Sequence, residues 1–132
     1  MTRVFTVPDA LRAGIADKLE RLAARPALSD SPAAAAIAAS LDYVWACSAF
    51  VADACLRDEG LLAWLAAEGR LLEQADAAWY VHTTDAVTQP GAHDDATFMS
   101  SLRGLRRRHL VRLAWRALAG YAPIEQVLEE LS

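Results

Sequence analysis

The sequence predicts an all-α fold, a compact bundle of about five to seven helices with one long Arg-rich helix near the C-terminus. The first supporting observation is composition: the 132 residues include 29 Ala and 18 Leu but only 11 Gly and Pro together. Ala and Leu are strong helix formers, and β-branched residues are scarce, which disfavours a mainly β fold. The second observation is that apolar residues recur at helical spacing and no run alternates as a half-buried strand would. At this length a single helical domain over residues 1–132 is expected.

Helix-start signals define the first two helical regions. Residues 8–24 form the first helix, which begins at a proline and carries an apolar stripe at i, i+4, i+8 and i+11 from Leu11. Ser31 is an N-cap that is followed by a first-turn proline, and together they start an Ala-rich region over 32–57.

Further polar caps divide the middle of the chain. Ser40 and Ser48 are candidate caps, so the Ala-rich region is predicted to consist of two or three short helices. Asp58 is expected to cap a helix over 59–68, which Gly69 ends from the C′ position.

The second half predicts one weak, one long and one short helix. Residues 71–81 form the weaker helix, and the polar stretch 83–94 is predicted to be an exposed loop. The aspartate that ends this loop caps the long helix 94–119, which Gly120 terminates. A last helix follows over 123–131.

Charge is distributed unevenly along the chain. The formal net charge is −4, yet residues 101–116 hold six Arg and no acidic residue. The preceding hundred residues sum to −7 and the last sixteen to −3. An acidic protein of this kind does not resemble a general binder of nucleic acids or membrane surfaces, so neither partner is expected.

Two of these arginines are predicted to be buried. Arg112 and Arg116 lie in the second half of the long helix, where apolar residues point in almost every direction. A buried guanidinium needs carboxylate partners, because an unpaired buried charge is costly. We therefore expect a structural ion-pair network in which the candidate partners are Asp42, Asp53 and Asp58.

The first half of the same helix is amphipathic, and its arginines predict an interaction face. A phosphate-binding role for Arg106, Arg107 and Arg108 is one alternative, and a DNA-reading helix is another, although no companion helix-turn-helix signal supports the latter. The residues of this face are Arg103, Arg106, Arg107 and Arg108.

Cysteine spacing and the N-terminal residues predict a cytoplasmic protein. Cys47 and Cys55 would lie about two helical turns apart, too far to form a disulfide with each other, and buried thiols fit a reducing cytosol. The N-terminus lacks the apolar core of a signal peptide. The most membrane-like stretch, 33–56, carries Asp42 and Asp53 and fits a buried helical region better than a membrane span.

No catalytic, cofactor-binding or metal-binding residue is assigned from the sequence. The pair His93-Asp94 is similar to the core of metal-dependent HD phosphohydrolases, but the further ligands are not evident. A nucleophilic pair of Cys47 and His109 is disfavoured, because a cysteine on an Ala-rich face is normally inert. The four tryptophans are expected to be core anchors.

Two blocks of sequence resemble a known family. These blocks are VWACSAFVADACLRD at 44–58 and FMSSLRGLRRRHLVRLAWRALAG at 98–120. They resemble helical segments of the bacterial bifunctional glutamine synthetase adenylyltransferase/adenylyl-removing enzymes, in the correct order, and the second block is the more specific. The sequence departs from the family pattern at Ala49, Gly60, His109 and Ala117.

The resemblance implies a parent enzyme that adds AMP to a tyrosine of glutamine synthetase and removes it by phosphorolysis, under control of the PII protein. In that family an Asp-x-Asp pair holds Mg²⁺ for chemistry that uses ATP. This sequence has no Asp-x-Asp, so the resemblance implies an N-terminal helical segment of a larger nucleotidyltransferase, inactive by itself. Its partners would be the remaining nucleotidyltransferase domains, glutamine synthetase and PII. The alternative is a standalone all-helical interaction module that binds an acidic partner through its Arg-rich face.

Overall fold

A computed structural model of the chain describes residues 5–25, 28, 30–87 and 94–131, which contain seven α-helices and no strand. The all-α prediction is therefore confirmed, including the long Arg-rich helix. The helices are α1 (Asp9–Ala23), α2 (Pro32–Cys47), α3 (Ala49–Arg57), α4 (Leu61–Ala67), α5 (Ala77–Val87), α6 (Asp95–Leu118) and α7 (Ile124–Leu131).

Serine caps begin α2 and α3. Ser31 Oγ accepts a hydrogen bond from the Ala34 N–H at 3.0 Å, and Ser48 Oγ accepts one from the Val51 N–H at 3.2 Å. Ser40 is not a cap, because its hydroxyl is buried inside α2 and donates to a carbonyl one turn back. Within the described residues no single helix is long and apolar enough to span a membrane, and α2 with α3 meet that test only as a pair bent by 120°.

The main core lies where α1, α2, α3, α4 and α6 meet. Trp45 and Trp115 are its largest fully buried apolar side chains. Trp79 is also buried and Trp64 is half-buried, so the tryptophans serve as core anchors to different extents. A smaller apolar cluster joins α6 to α7 and consists of Leu113, Ala122 and Val127, with Ala117 packed against it.

The predicted helix over 71–81 is wrong in its position, because residues 71–76 are not helical and α5 begins at Ala77. Asp76 starts this helix, since its Oδ1 accepts a hydrogen bond from the Trp79 N–H at 2.9 Å. The displaced segment uses some of its carbonyls to accept hydrogen bonds from side chains of α6, as described below. These side chains lie far away in the sequence, so no local pattern predicts the hydrogen bonds.

The predicted loop over 83–94 is also wrong in its first part, since α5 continues to Val87. Thr83 and Thr84 favour loops locally, but both hydroxyls donate to the Tyr80 carbonyl within the helix, at 3.0 and 2.8 Å. Residues 88–93 lie outside the described part of the chain.

Most of the predicted helix ends are confirmed. Asp94 Oδ1 accepts a hydrogen bond from the Thr97 N–H at 2.7 Å and so caps α6. Gly120 ends that helix with a φ of 76°, which favours glycine. Asp58 does not cap α4 directly, because Gly60 occupies the N-cap and Asp58 instead accepts a hydrogen bond from its N–H.

Candidate functional site: a buried arginine cluster

Arg112 is the most extensively bonded side chain in the described structure, and α6 places it entirely out of solvent. Its Nε donates to the Gly69 carbonyl at 2.7 Å, and its Nη2 donates to the carbonyls of Arg70 and Glu73 at 3.2 and 2.7 Å. Its Nη1 donates to Glu130 Oε2 at 2.7 Å. The guanidinium therefore joins α6, the segment before α5, and α7.

Glu130 supplies the carboxylate of this cluster, with only 4% of its side chain exposed. Besides Arg112, it accepts hydrogen bonds from the Tyr80 hydroxyl at 2.7 Å and from the Ala75 N–H at 3.3 Å. Burial by itself raises the pKa of Glu130, but the donors Tyr80 and Arg112 outweigh burial and hold it below its usual value. The carboxylate is therefore ionised and fully bonded at neutral pH.

Arg116 lies one turn further along α6 and is 2% exposed. Its Nη1 donates to the Leu71 carbonyl at 2.7 Å, and its Nη2 donates to Gln126 Oε1 at 2.8 Å. Gln126 in turn donates to Gln74 Oε1 at 3.1 Å. Burial and the neighbouring Arg112 charge lower the pKa of Arg116. Arg116 thus fixes α7 and the segment before α5 through neutral acceptors.

Aromatic rings cover one side of the cluster. The Arg112 guanidinium lies 5.0 Å from the centre of the Trp79 ring. His109 packs against Trp79 and Tyr80 with ring centres 5.3 and 4.9 Å apart, and its Nε2 lies 3.3 Å from Thr83 Oγ1. Burial, with a smaller effect of the Arg112 charge, lowers the pKa of His109 to about 4. The imidazole is therefore neutral at pH 7.

The carboxylates proposed for Arg112 and Arg116 lie elsewhere, which corrects the expected pairing. Asp58 accepts from Arg108 Nε and Nη2 at 2.7 and 2.9 Å, and this bidentate contact holds its pKa below the usual range. Asp53 pairs with Lys18 at 3.1 Å. Asp42 is exposed on α2. Helical periodicity indicates which arginines are buried but does not specify which distant residue meets them.

The actual partners of Arg112 and Arg116 were not predicted from the sequence. They are Glu130, Gln126 and the backbone carbonyls of Gly69, Arg70, Leu71 and Glu73. The one available signal was the acidic C-terminal segment, whose carboxylates lie on α7. Backbone carbonyls leave no signal in the sequence, because every residue has one.

The predicted Arg-rich face divides into two parts. Arg108 is half-buried, pairs with Asp58, and lies 5.9 Å from the Trp64 ring centre. In the described ranges, Arg103, Arg106 and Arg107 have no ion pair. These three guanidinium groups of α6 thus form no ion pair with a described carboxylate.

The cluster offers no metal site and no nucleophile. No three His, Cys, Asp or Glu side chains in the part of the chain that the structure describes come close enough together to hold a metal ion. Cys55 is buried in the core, and burial raises the pKa of its thiol to about 12. The hydrogen bonds of the cluster join α6 to α7 and to the segment that precedes α5.

Residues 38–132 match the family model of the glutamate-ammonia ligase adenylyltransferases. The chain belongs to this family. In this adenylyltransferase-family chain, the matched residues include the whole buried arginine cluster. The second family-like block contributes its Arg112, Trp115 and Arg116 to the buried interior, where Trp115 Nε1 donates to Ser40 Oγ at 2.9 Å.

Two relatives carry the name bifunctional glutamine synthetase adenylyltransferase/adenylyl-removing enzyme. The protein of Thioalkalivibrio sulfidiphilus is 36% identical over 131 residues, covering 96% of this chain and 13% of the relative. The protein of Nitrosococcus oceani is 37% identical over 93 residues, covering 70% of this chain and 10% of the relative. The adenylyltransferase-family chain therefore spans only a small part of these enzymes. No solved structure matches it.

Proposed function

We propose that this chain provides a helical scaffold for an enzyme that adenylylates and deadenylylates glutamine synthetase. The observation that carries the proposal is that the family match covers α3 to α7 completely, together with every residue of the buried arginine cluster. In this role the cluster holds α5, α6 and α7 in one arrangement. The scaffold would pack beside a nucleotidyltransferase domain and position it.

We expect no site for Mg²⁺ or ATP among this chain's own residues. The sequence lacks the Asp-x-Asp pair that two-metal nucleotidyl transfer uses, and the adjacent pair Asp94-Asp95 lies at the start of α6, where Asp94 is engaged as a cap. We propose that both cofactors of the family act in nucleotidyltransferase domains outside this segment. No chemical step is assigned to this chain, which we expect to be inactive alone.

Glutamine synthetase and PII are proposed as partners of the whole enzyme. Glutamine synthetase is supported by the names of both relatives, whereas PII rests on the family resemblance alone. A cytoplasmic location follows from the same proposal, since glutamine synthetase is the substrate. It is supported by two cysteines that form no disulfide.

A segment exchange tests this function. The matching segment of the Thioalkalivibrio sulfidiphilus enzyme is replaced by this chain, and both addition of AMP to glutamine synthetase and its phosphate-dependent release are measured. We expect the chimera to keep both activities. The chain by itself, assayed in parallel, should release no AMP from adenylylated glutamine synthetase.

Two results would contradict the proposal. A chimera that fails to fold, or that folds and lacks both activities while the unmodified enzyme is active, would show that the chain cannot replace the family segment. Phosphate-dependent AMP release by the chain alone would show that it is an enzyme in its own right.

A further inference from the structure

The outer face of α6 combines apolar and basic residues in one stripe. Met99, Leu102, Arg103, Arg106 and Leu110 are spaced at i, i+3, i+4, i+7 and i+11, which places them on one side of a helix. Met99 is 49% exposed and Leu110 is 37% exposed. Apolar side chains in this pattern normally face a neighbouring helix, yet these two face solvent.

A cleft of about 410 Å³ lies along this stripe, where α5, α6 and the end of α7 meet. Leu105 forms part of its floor and is buried, while Leu131 forms part of its edge and is 54% exposed. Leu102, Arg106 and Leu110 belong to both the stripe and the cleft lining. The stripe and the cleft thus form one surface, called the α6 groove.

The charges of this surface are left uncompensated. Of the other arginines of α6, Arg108 pairs with Asp58 and Arg112 pairs with Glu130. Arg103 and Arg106 are exposed and form no ion pair with any carboxylate in the described residues. The groove is therefore a positively charged, partly apolar surface on a protein whose net charge is −4.

We propose that the α6 groove binds an amphipathic helix of another protein, in which a stripe of leucine-like residues is flanked by Asp or Glu. The span from Met99 to Leu110 is about 16 Å, or three helical turns, which matches the length of a typical helix-in-groove contact. Leu102 and Leu110 would contact the apolar stripe, and the free guanidinium groups would bind the flanking carboxylates. This inference does not depend on the proposed enzymatic role.

A synthetic acidic helix provides the probe. A fluorescent peptide of about 18 residues carries Leu at i, i+3, i+4 and i+7 on one face and Glu beside them, and its binding is followed by anisotropy at low and moderate salt. A second peptide has Gln in place of every Glu. We expect the acidic peptide to bind more tightly, to weaken as salt rises, and to shift the amide NMR signals of Leu102 and Leu110.

Charge reversal on the protein provides the matched comparison. The double variant Arg103→Glu with Arg106→Glu should bind the acidic peptide about tenfold more weakly, whereas Arg21→Glu, an exposed position on α1, should bind as the wild type does. Circular dichroism checks that each variant keeps its helices.

Three outcomes would overturn the inference. The Gln peptide binding as tightly as the Glu peptide would show that the arginines do not select carboxylates. Shifted amides that lie outside α5, α6 and α7 would place the contact elsewhere. Tighter binding of a single-stranded oligonucleotide than of the acidic peptide, abolished by the same charge reversal, would make the groove a nucleic-acid surface.

Discussion

At the scale of single residues, Arg112 shows how one charge can be buried without a matching set of carboxylates. Three of its four hydrogen-bond acceptors are backbone carbonyls, and only Glu130 carries a charge. The carbonyls belong to a segment that forms no helix or strand, so the guanidinium supplies hydrogen-bond donors that regular secondary structure does not supply there. Burial of the arginine and the irregular shape of residues 69–76 therefore depend on each other.

Replacing Arg112 by Met should be strongly destabilising. The change leaves the Glu130 carboxylate and three carbonyls without this donor, and breaking a buried pair of this kind costs about 3–5 kcal/mol in the free energy of unfolding. The matched control is Arg103→Met on the exposed face of the same helix, expected to lie within about 0.5 kcal/mol of wild type. Urea unfolding followed by circular dichroism measures both. A loss below about 1 kcal/mol for Arg112→Met would contradict the role assigned to this residue.

His109 should make stability depend on pH. Its pKa of about 4 in the folded protein lies below the 6.5 of an unperturbed histidine, so between these values the unfolded state binds more protons. The contribution of His109 to the free energy of unfolding is therefore fully present above about pH 6.5 and is lost as the pH falls toward 4. The loss amounts to roughly 1–3 kcal/mol in total. Glu130 affects stability at lower pH, because its pKa is held below the ordinary glutamate value of 4.5. Its contribution to the free energy of unfolding is therefore lost only as the pH falls below 4.5.

The variant His109→Phe separates these contributions. Phe keeps aromatic packing against Trp79 and Tyr80 but does not titrate, so the free energy of unfolding should vary less with pH between about 6.5 and 4.5 than in the wild type. Urea unfolding at steps through this range gives the two slopes. Equal slopes for the two proteins would show that His109 is not held neutral by its surroundings.

At the scale of the elements, α6 carries an internal glycine that its packing does not require. A Cβ added at Gly104 would meet no other atom within 4 Å, whereas one added at Gly69 would lie 2.8 Å from the Leu65 Cα. Glycine within a helix costs about 0.5–1 kcal/mol relative to alanine. Replacing glycine by alanine is therefore expected to change the free energy of unfolding in opposite directions at positions 104 and 69.

Gly104→Ala should raise the free energy of unfolding by about 0.5–1 kcal/mol, and Gly69→Ala should lower it because the new methyl group would collide with backbone. Thermal unfolding of the two variants beside the wild type gives both signs in one experiment. Destabilisation by Gly104→Ala would mean that α6 needs a glycine for close packing there.

The helices themselves could largely be predicted from sequence, because their signals are local. Helices begin after Ser31, Ser48 and Asp94, because each side chain accepts a hydrogen bond from an N–H three residues further on. The long helix ends at Gly120, which has a positive φ. The error between residues 71 and 76 has a nonlocal cause. There the backbone path follows Arg112 and Arg116, which lie about forty positions away in the sequence, since the bonded pairs are separated by 39 to 45 residues.

The candidate site could be predicted only in part for the same reason. Periodicity indicates that Arg112 and Arg116 are buried, since it depends on one helix alone. It does not indicate that Glu130 would meet Arg112 or that Asp58 would meet Arg108, because those pairs depend on how helices pack. The lack of an ion pair at Arg103 and Arg106 depends on where every described carboxylate lies in the fold, so it leaves no local signal in the sequence.

At the scale of the whole molecule, the arginine cluster links the helices in the C-terminal part of the family-matched region. Arg112 and Arg116 of α6 donate hydrogen bonds to α7 and to the segment that follows α4. Glu130 of α7 also accepts a hydrogen bond from Tyr80 of α5. A scaffold that positions a neighbouring nucleotidyltransferase domain must keep such helices in a fixed arrangement. Loss of the cluster should therefore reduce the activity of an enzyme that contains this segment, although no residue of the cluster is assigned a chemical step.

The most direct measurement is the rate of phosphate-dependent AMP release from adenylylated glutamine synthetase by the segment-exchange chimera, compared between its Arg112→Met and Arg103→Met forms. The rate of the Arg103→Met form should stay within about twofold of that of the unmodified chimera. The Arg112→Met form should lose at least about tenfold, because about 3–5 kcal/mol of folding free energy is removed. Equal rates for the two forms would contradict the claim that this helical segment supports the enzyme through its buried arginine cluster.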